Sequence, residues 1–151
     1  MTESTSNLQQ PDCEMLEISL PATLGSVALA IEFTKRSLNE FGCPPGIQAS
    51  LVVVVDEIVS NIAKFAYDGA EGDFTVQISV KQAGRAIEIT FIDEGAAFNP
   101  LDSPKVNTAS AIENRKIGGQ GILITRKIAD IMEYERKDGK NLLRICKHIE
   151  S

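Results

Sequence analysis

The chain of 151 residues carries 15 Lys and Arg against 21 Asp and Glu, a formal charge of −6, and 43% of its residues are apolar. That length suits one domain with a sizeable core, and the acidic balance argues against a nucleic-acid surface, which needs a positive footprint. No stretch approaches the roughly 18 apolar residues of a membrane span, and the start MTESTSNLQQPD lacks the basic residues and apolar run of a signal peptide. The three cysteines, Cys13, Cys43 and Cys146, form no CxxC pair, and with His148 as the lone histidine they make no zinc constellation. They read as free thiols in a reducing compartment. The expectation is a soluble cytoplasmic protein with neither a membrane nor a nucleic-acid partner.

Residues 1–13 are mostly polar and read as a disordered lead-in, with a single domain over 14–151. Glu14–Leu20 sets the apolar Met15, Leu16, Ile18 and Leu20 among polar neighbours and predicts a strand, closed by Pro21. Thr23 is placed to cap a helix running to about Phe41, which Gly42-Cys43-Pro44-Pro45-Gly46 then breaks. The run Val52–Val55 is rich in β-branched residues, as a strand would be. The surrounding positions decide otherwise: Leu51, Val54, Val55, Ile58, Val59, Ile62 and Phe65 keep helical spacing, so a helix from about Ile47 to Ala66 is expected. After a turn at Tyr67–Gly72, the alternations Phe74-Val76-Ile78-Val80 and Ile87-Ile89-Phe91 predict an antiparallel hairpin turning at Ala83-Gly84. Residues 95–117 form a long polar connection, with one helical turn at Ala109–Glu113, and a connection of that length suits a lid. A third helix follows Gly118-Gly119-Gln120-Gly121, then strands at Met132–Arg136 and Asn141–Lys147 joined at Lys137–Lys140. The order is β-α-α-β-β-loop-α-β-β, one sheet covered by helices on one face.

Three segments carry chemistry. Glu57 and Asn61 stand four residues apart, hence on one helix face bordering the apolar stripe, and Lys64 extends that edge. Such a carboxylate can act as a base toward a hydroxyl, and the carboxamide oxygen can ligate Mg²⁺. Asp93 ends a buried strand before Gly95. A carboxylate there can accept a hydrogen bond from an exocyclic amine such as adenine N6, and the glycine lets a ligand approach the backbone. The glycines before the third helix expose N–H groups at a positive helix end, a cradle for phosphate, with Arg115 and Lys116 upstream to add charge. The spacing is neither the Walker nor the Rossmann pattern. Taken singly, the three segments equally describe a polar helix edge, a strand-ending turn and a flexible turn before a helix. Their order and spacing carry the argument.

As a set they resemble the GHKL ATPase superfamily, and within it the bacterial anti-sigma-factor serine kinases. Glu57-x-x-x-Asn61 with Phe65-Ala66-Tyr67 looks like the first box of that family and Asp93–Phe98 like the second. Gly119-Gln120-Gly121-Ile122 with Thr125-Arg126-Lys127 looks like the third, and the likeness extends over residues 14–148. It implies an α+β two-layer sandwich (the Bergerat ATP-binding fold) whose mixed, mostly antiparallel sheet is covered by about three helices. It also implies ATP and Mg²⁺ as ligands. Glu57 would activate the attacking hydroxyl and Asn61 would coordinate Mg²⁺. Asp93 would bind the adenine amine, with Gly95, Ala97 and Phe98 shaping the base pocket. Lys64, Arg115, Gly119, Gly121 and Ile122 would meet the rest of the nucleotide. Two positions depart from the family pattern, which often has His in place of Phe65 and Gly in place of Ala97.

The implied function is an anti-sigma regulatory factor that phosphorylates a serine or threonine of a STAS-type anti-anti-sigma protein and sequesters a sigma factor. A homodimer is implied by the resemblance alone. The alternative is a nucleotide-dependent partner-switching module that transfers no phosphate. A histidine kinase fragment fits poorly, since no dimerising helical hairpin carries a phospho-acceptor His.

Overall fold

The computed structural model describes residues 14–81, 85–100 and 119–149. In chain order these form strand β1 (Glu14–Pro21), helix α1 (Gly25–Glu40) and helix α2 (Pro45–Asn61), which runs on into a wider π-type turn over Ile62–Ala66. Strands β2 (Asp73–Lys81) and β3 (Ala86–Asp93), helix α3 (Gly119–Ile128), and strands β4 (Ile131–Lys137) and β5 (Lys140–His148) follow. The expected lead-in, the Ala83-Gly84 turn, the connection beyond Pro100 with Arg115 and Lys116, Gly118 and Cys13 lie outside the described residues.

The five strands form one sheet in the order β1-β2-β3-β5-β4. Every ladder among the described residues is antiparallel, so the mixed character expected of the sheet narrows to a purely antiparallel one. The register explains where the core ends and a polar site begins. Ile78, Ile89 and Ile145 lie in one row across β2, β3 and β5, and Val76, Phe91 and Leu143 lie in the next. All six are buried. One step further the row is Phe74, Asp93 and Asn141, so the apolar face finishes on two buried polar side chains.

The helices supply the other half of the core. Buried Leu51, Val54, Val55, Ile58 and Val59 keep the 3.6-residue period, whereas Val53 is exposed, which no buried strand would allow. Burying such side chains contributes about 1.5–3 kcal/mol each, enough to override the β preference of the Val52–Val55 run. Helix α2 lies between α1 and α3, and α1 also packs on β1 and β2. Pro45 occupies the first turn of α2, where its missing N–H costs nothing. Thr23 does not cap α1 through its side chain. The cap residue is Leu24, and the Thr23 hydroxyl pairs with that of Ser26 at 3.2 Å.

The opposite face of the sheet carries polar pairs: Glu17 with Gln77, Ser19 with Thr75, and a chain of ion pairs Lys81–Glu88–Arg144–Glu133. Partly exposed pairs of this kind contribute about 0–1 kcal/mol each. The β4–β5 turn places Asp138 at φ +54° and Gly139 at φ +77°. This two-residue geometry favours Asp-Gly and fixes the register of the final hairpin.

Asp130 ties the start of β4 to the end of β5. Its Oδ2 accepts the His148 backbone N–H at 2.7 Å and lies 3.1 Å from His148 Nδ1, while Lys147 Nζ lies 3.9 Å from Oδ1. The His148 backbone N–H lowers the carboxyl most; burial opposes it, and the His148 side chain and the Lys147 charge lower it further, so it stays below its ordinary value of 3.8. A depressed carboxylate contributes stability above the unfolded value and loses it as pH falls through the folded value. Asp130→Asn is therefore expected to lower Tm at pH 7, with the gap to wild type closing as pH falls below 3.8. Thermal melts across pH 2–7 check this.

Candidate functional site

A cavity of about 550 Å³ opens where the apolar rows of the sheet end. Its floor is Phe91 and Leu143, and one wall is Ile58, Asn61, Ile62, Phe65 and Ala66 from α2 and its extension. Ile122 of α3 closes a second side, and Ala96, Ala97, Phe98 and Pro100 of the loop after β3 form the rim. Asp93, Tyr134 and Asn141 supply further polar groups. Apolar walls around a few convergent polar atoms, at this volume, suit a flat heteroaromatic ligand.

Asp93 is 8% exposed. Its Oδ1 accepts the Gly95 N–H at 2.8 Å and Asn141 Nδ2 at 3.0 Å. Among the described residues no group donates to Oδ2, in a side chain that lines the cavity.

The loop bearing Gly95–Phe98 is pinned from two sides. The Ala96 N–H donates to the Ala66 carbonyl at 3.2 Å, and Arg136 Nη1 donates to the Gly95 carbonyl at 2.8 Å. Tyr67 locks the same corner, accepting the Glu94 N–H at 2.7 Å and donating to the Asp73 carbonyl. Burial raises the Tyr67 phenol, and the Asp93, Glu94 and Asp73 charges raise it further against the Glu94 N–H, so it stays a donor. The close approach that Gly95 permits is to this scaffold: a Cβ there would lie 2.1 Å from the Ala66 carbonyl oxygen. Gly95→Ala must displace the loop, and overpacking of this kind costs about 1–3 kcal/mol. A Tm lowered by several degrees, together with weakened nucleotide binding, is the expected result in parallel thermal melts and titrations.

The other residues singled out from sequence fall into four groups. Asn61, Ala97, Phe98 and Ile122 line the cavity beside Asp93. Glu57 is half-buried one turn before Asn61, and Lys64 is exposed; neither is in the cavity wall. Gly119 and Gly121 lie within the first turn of α3 rather than before it, because the helix begins at Gly119. The first N–H groups of a helix have no partners within it and point outward at its positive end. Arg115 lies outside the described residues.

Three residues of this site escape sequence reasoning: Asn141, Tyr134 and Arg136. One signal was present. Asn141 shares the buried register of β5 with Leu143 and Ile145, and a carboxamide on that side of a strand needs a partner.

Among the described residues no cluster of three or more His, Cys, Asp or Glu is placed to hold a metal ion. Mg²⁺ keeps waters and phosphate oxygens and asks the protein for one or two, and the Asn61 carboxamide in the cavity wall can give one.

Fold and cavity together define a two-layer α+β domain with a recess of about 550 Å³ beside a helix N-terminus. Residues 20–147 match the family described as the histidine kinase-like ATPase domain, and the chain belongs to that family. It is 24% identical over 135 residues, 89% of this chain and 93% of the relative, to the serine/threonine-protein kinase BtrW of Bordetella bronchiseptica. Among solved structures it resembles the RsbU and RsbW domains of a Mycobacterium tuberculosis protein, with TM-score 0.62 and 17% identity; the match covers 89% of this chain and 32% of that one. It also resembles the SiaB–SiaC complex from Pseudomonas aeruginosa, with TM-score 0.56, 16% identity and coverage of 98% and 96%. Membership of an ATPase family implies that the domain binds ATP.

Proposed function

We propose that this chain is an ATP-dependent protein serine/threonine kinase of the partner-switching kind, phosphorylating a serine or threonine of a STAS-type anti-anti-sigma protein and sequestering a sigma factor. The observation that carries the reading is Asp93, 8% exposed at the end of an apolar recess, its Oδ1 accepting from the Gly95 N–H and Asn141 Nδ2. The likeness to BtrW, a protein named for serine/threonine kinase activity, supports phosphate transfer. The likeness to the SiaB–SiaC complex, a structure of two proteins together, supports a protein partner.

In this reading the adenine lies on Phe91 and Leu143, against Ile58, Ile62 and Ile122, with its amine on Asp93 Oδ2. The first N–H groups of α3, over Gly119, Gln120, Gly121 and Ile122, would face the phosphates, with Lys64 and Arg115 adding positive charge. Asn61 would hold Mg²⁺ together with the phosphate oxygens, and the ion would neutralise charge on the group transferred. Glu57 would take the proton of the attacking hydroxyl as its oxygen bonds to the γ-phosphorus and ADP leaves.

Incubating the protein with Mg²⁺–ATP and STAS proteins of the same cell, followed by mass spectrometry of the STAS chain, tests the proposal. One phosphate on a single serine or threonine is expected. The second reading, a module that switches partners on ATP or ADP without transfer, draws on the place of Glu57 outside the cavity wall. Nucleotide binding that alters partner affinity while every STAS chain stays unmodified would favour it.

A further inference from the structure

We propose that Asn141 and Tyr134 are positioning residues that select which oxygen of Asp93 is offered to the base. The inference rests on the adenine reading above and deepens it.

A carboxylate has two equivalent oxygens on a soft, two-fold torsion, so burial alone does not aim it. Among the described residues two donors converge on Oδ1, the Gly95 N–H at 2.8 Å and Asn141 Nδ2 at 3.0 Å. The orientation of Asp93 is therefore shared between the Gly95 N–H and the Asn141 amide, and Asn141 is the side-chain half of that hold. The Asn141 carboxamide is fixed at both ends. Nδ2 also donates to the Ala96 carbonyl at 2.9 Å, and Oδ1 accepts the Tyr134 hydroxyl and the Phe98 N–H, the latter at 3.3 Å. Rotating the amide by half a turn would set its oxygen against a carboxylate and a carbonyl, and its NH₂ against the Phe98 N–H. That costs several hydrogen bonds in a side chain 7% exposed.

The chain of control runs from the Tyr134 hydroxyl to the Asn141 amide, then to Asp93 Oδ1, leaving Oδ2 for the ligand. Asn141 also bonds on both sides of Ala97, so one side chain sets both the acceptor and the rim of the recess. These contacts join β4, β5, the end of β3 and the loop after it. A side chain that acts in this way controls discrimination for the amine, not merely general affinity.

The test compares ADP with purine riboside 5′-diphosphate, which lacks the 6-amino group, by calorimetric titration in Mg²⁺ buffer. Wild type, Asn141→Ala and Tyr134→Phe are measured, each with a thermal melt. Wild type should prefer ADP by roughly tenfold or more, the scale of a hydrogen bond to a charged acceptor. In Asn141→Ala the preference should collapse toward one, mainly by weakening ADP. Tyr134→Phe, which keeps the ring and removes one hydroxyl, should lose part of the preference at nearly unchanged Tm, and it serves if Asn141→Ala folds poorly. Equal weakening of both nucleotides, with the ratio intact, would mean a purely structural role and overturn the proposal. A wild-type ratio near one would overturn the adenine reading, and this inference with it.

Discussion

Asp93→Asn is expected to lower affinity for ADP by about tenfold to a hundredfold or more while leaving the fold intact. The asymmetry follows from the two oxygens of the carboxylate. An asparagine here keeps an oxygen at Oδ1, where it can still accept from the Gly95 N–H and Asn141 Nδ2. Its nitrogen then takes the place of Oδ2 and presents a donor to the adenine amine, itself a donor. The lost interaction is a hydrogen bond to a charged acceptor, worth about 1.5–3 kcal/mol, and a donor facing a donor adds to the loss. Each 1.4 kcal/mol is about tenfold in Kd. Calorimetric titration with a parallel melt separates binding from folding. An affinity within threefold of wild type would remove Asp93 from base recognition.

Glu57→Gln is expected to act on the other term, cutting phosphate transfer by about a hundredfold to ten-thousandfold with little change in nucleotide affinity. A positioned general base supplies roughly that factor, and glutamine keeps the shape while abolishing proton acceptance. Glu57 stands one turn from Asn61 and outside the cavity wall, so its charge is not spent on holding the base. Single-turnover transfer to the STAS partner, with ADP titration alongside, checks both halves. Full transfer in the variant would sink the assigned role of Glu57. Absent transfer in wild type as well, with ATP still governing partner affinity, would favour the switching module.

The elements were legible because each keeps one period over its length. Phe74-Val76-Ile78 and Ile87-Ile89-Phe91 alternate and pair as a hairpin, and the valine run of α2 resolves as helix once its flanks are counted. Strand order is less local. That β5 lies beside β3, bringing Asn141 opposite Asp93, depends on the whole chain folding back, and no periodicity encodes it. The roles of Asn141, Tyr134 and Arg136 were therefore invisible, although their alternation within two strands was not. Gly95 shows the opposite limit. A glycine after a strand-ending Asp signals close approach, but only packing reveals that the neighbour is the Ala66 carbonyl. The start of α3 is similar: glycines suggest a turn, yet Gly119 and Gly121 already belong to the helix.

The most direct test of the central claim, a nucleotide seated on the end of the β3–β5 rows, is an amide NMR titration of the wild-type protein with Mg²⁺–ADP. The account predicts the largest shifts at Gly95, Phe98, Ile122, Asn141 and Leu143, with Glu17, Gln77 and Glu133 on the opposite face nearly still. No shifts at millimolar ADP, or shifts centred on that opposite face, would contradict it.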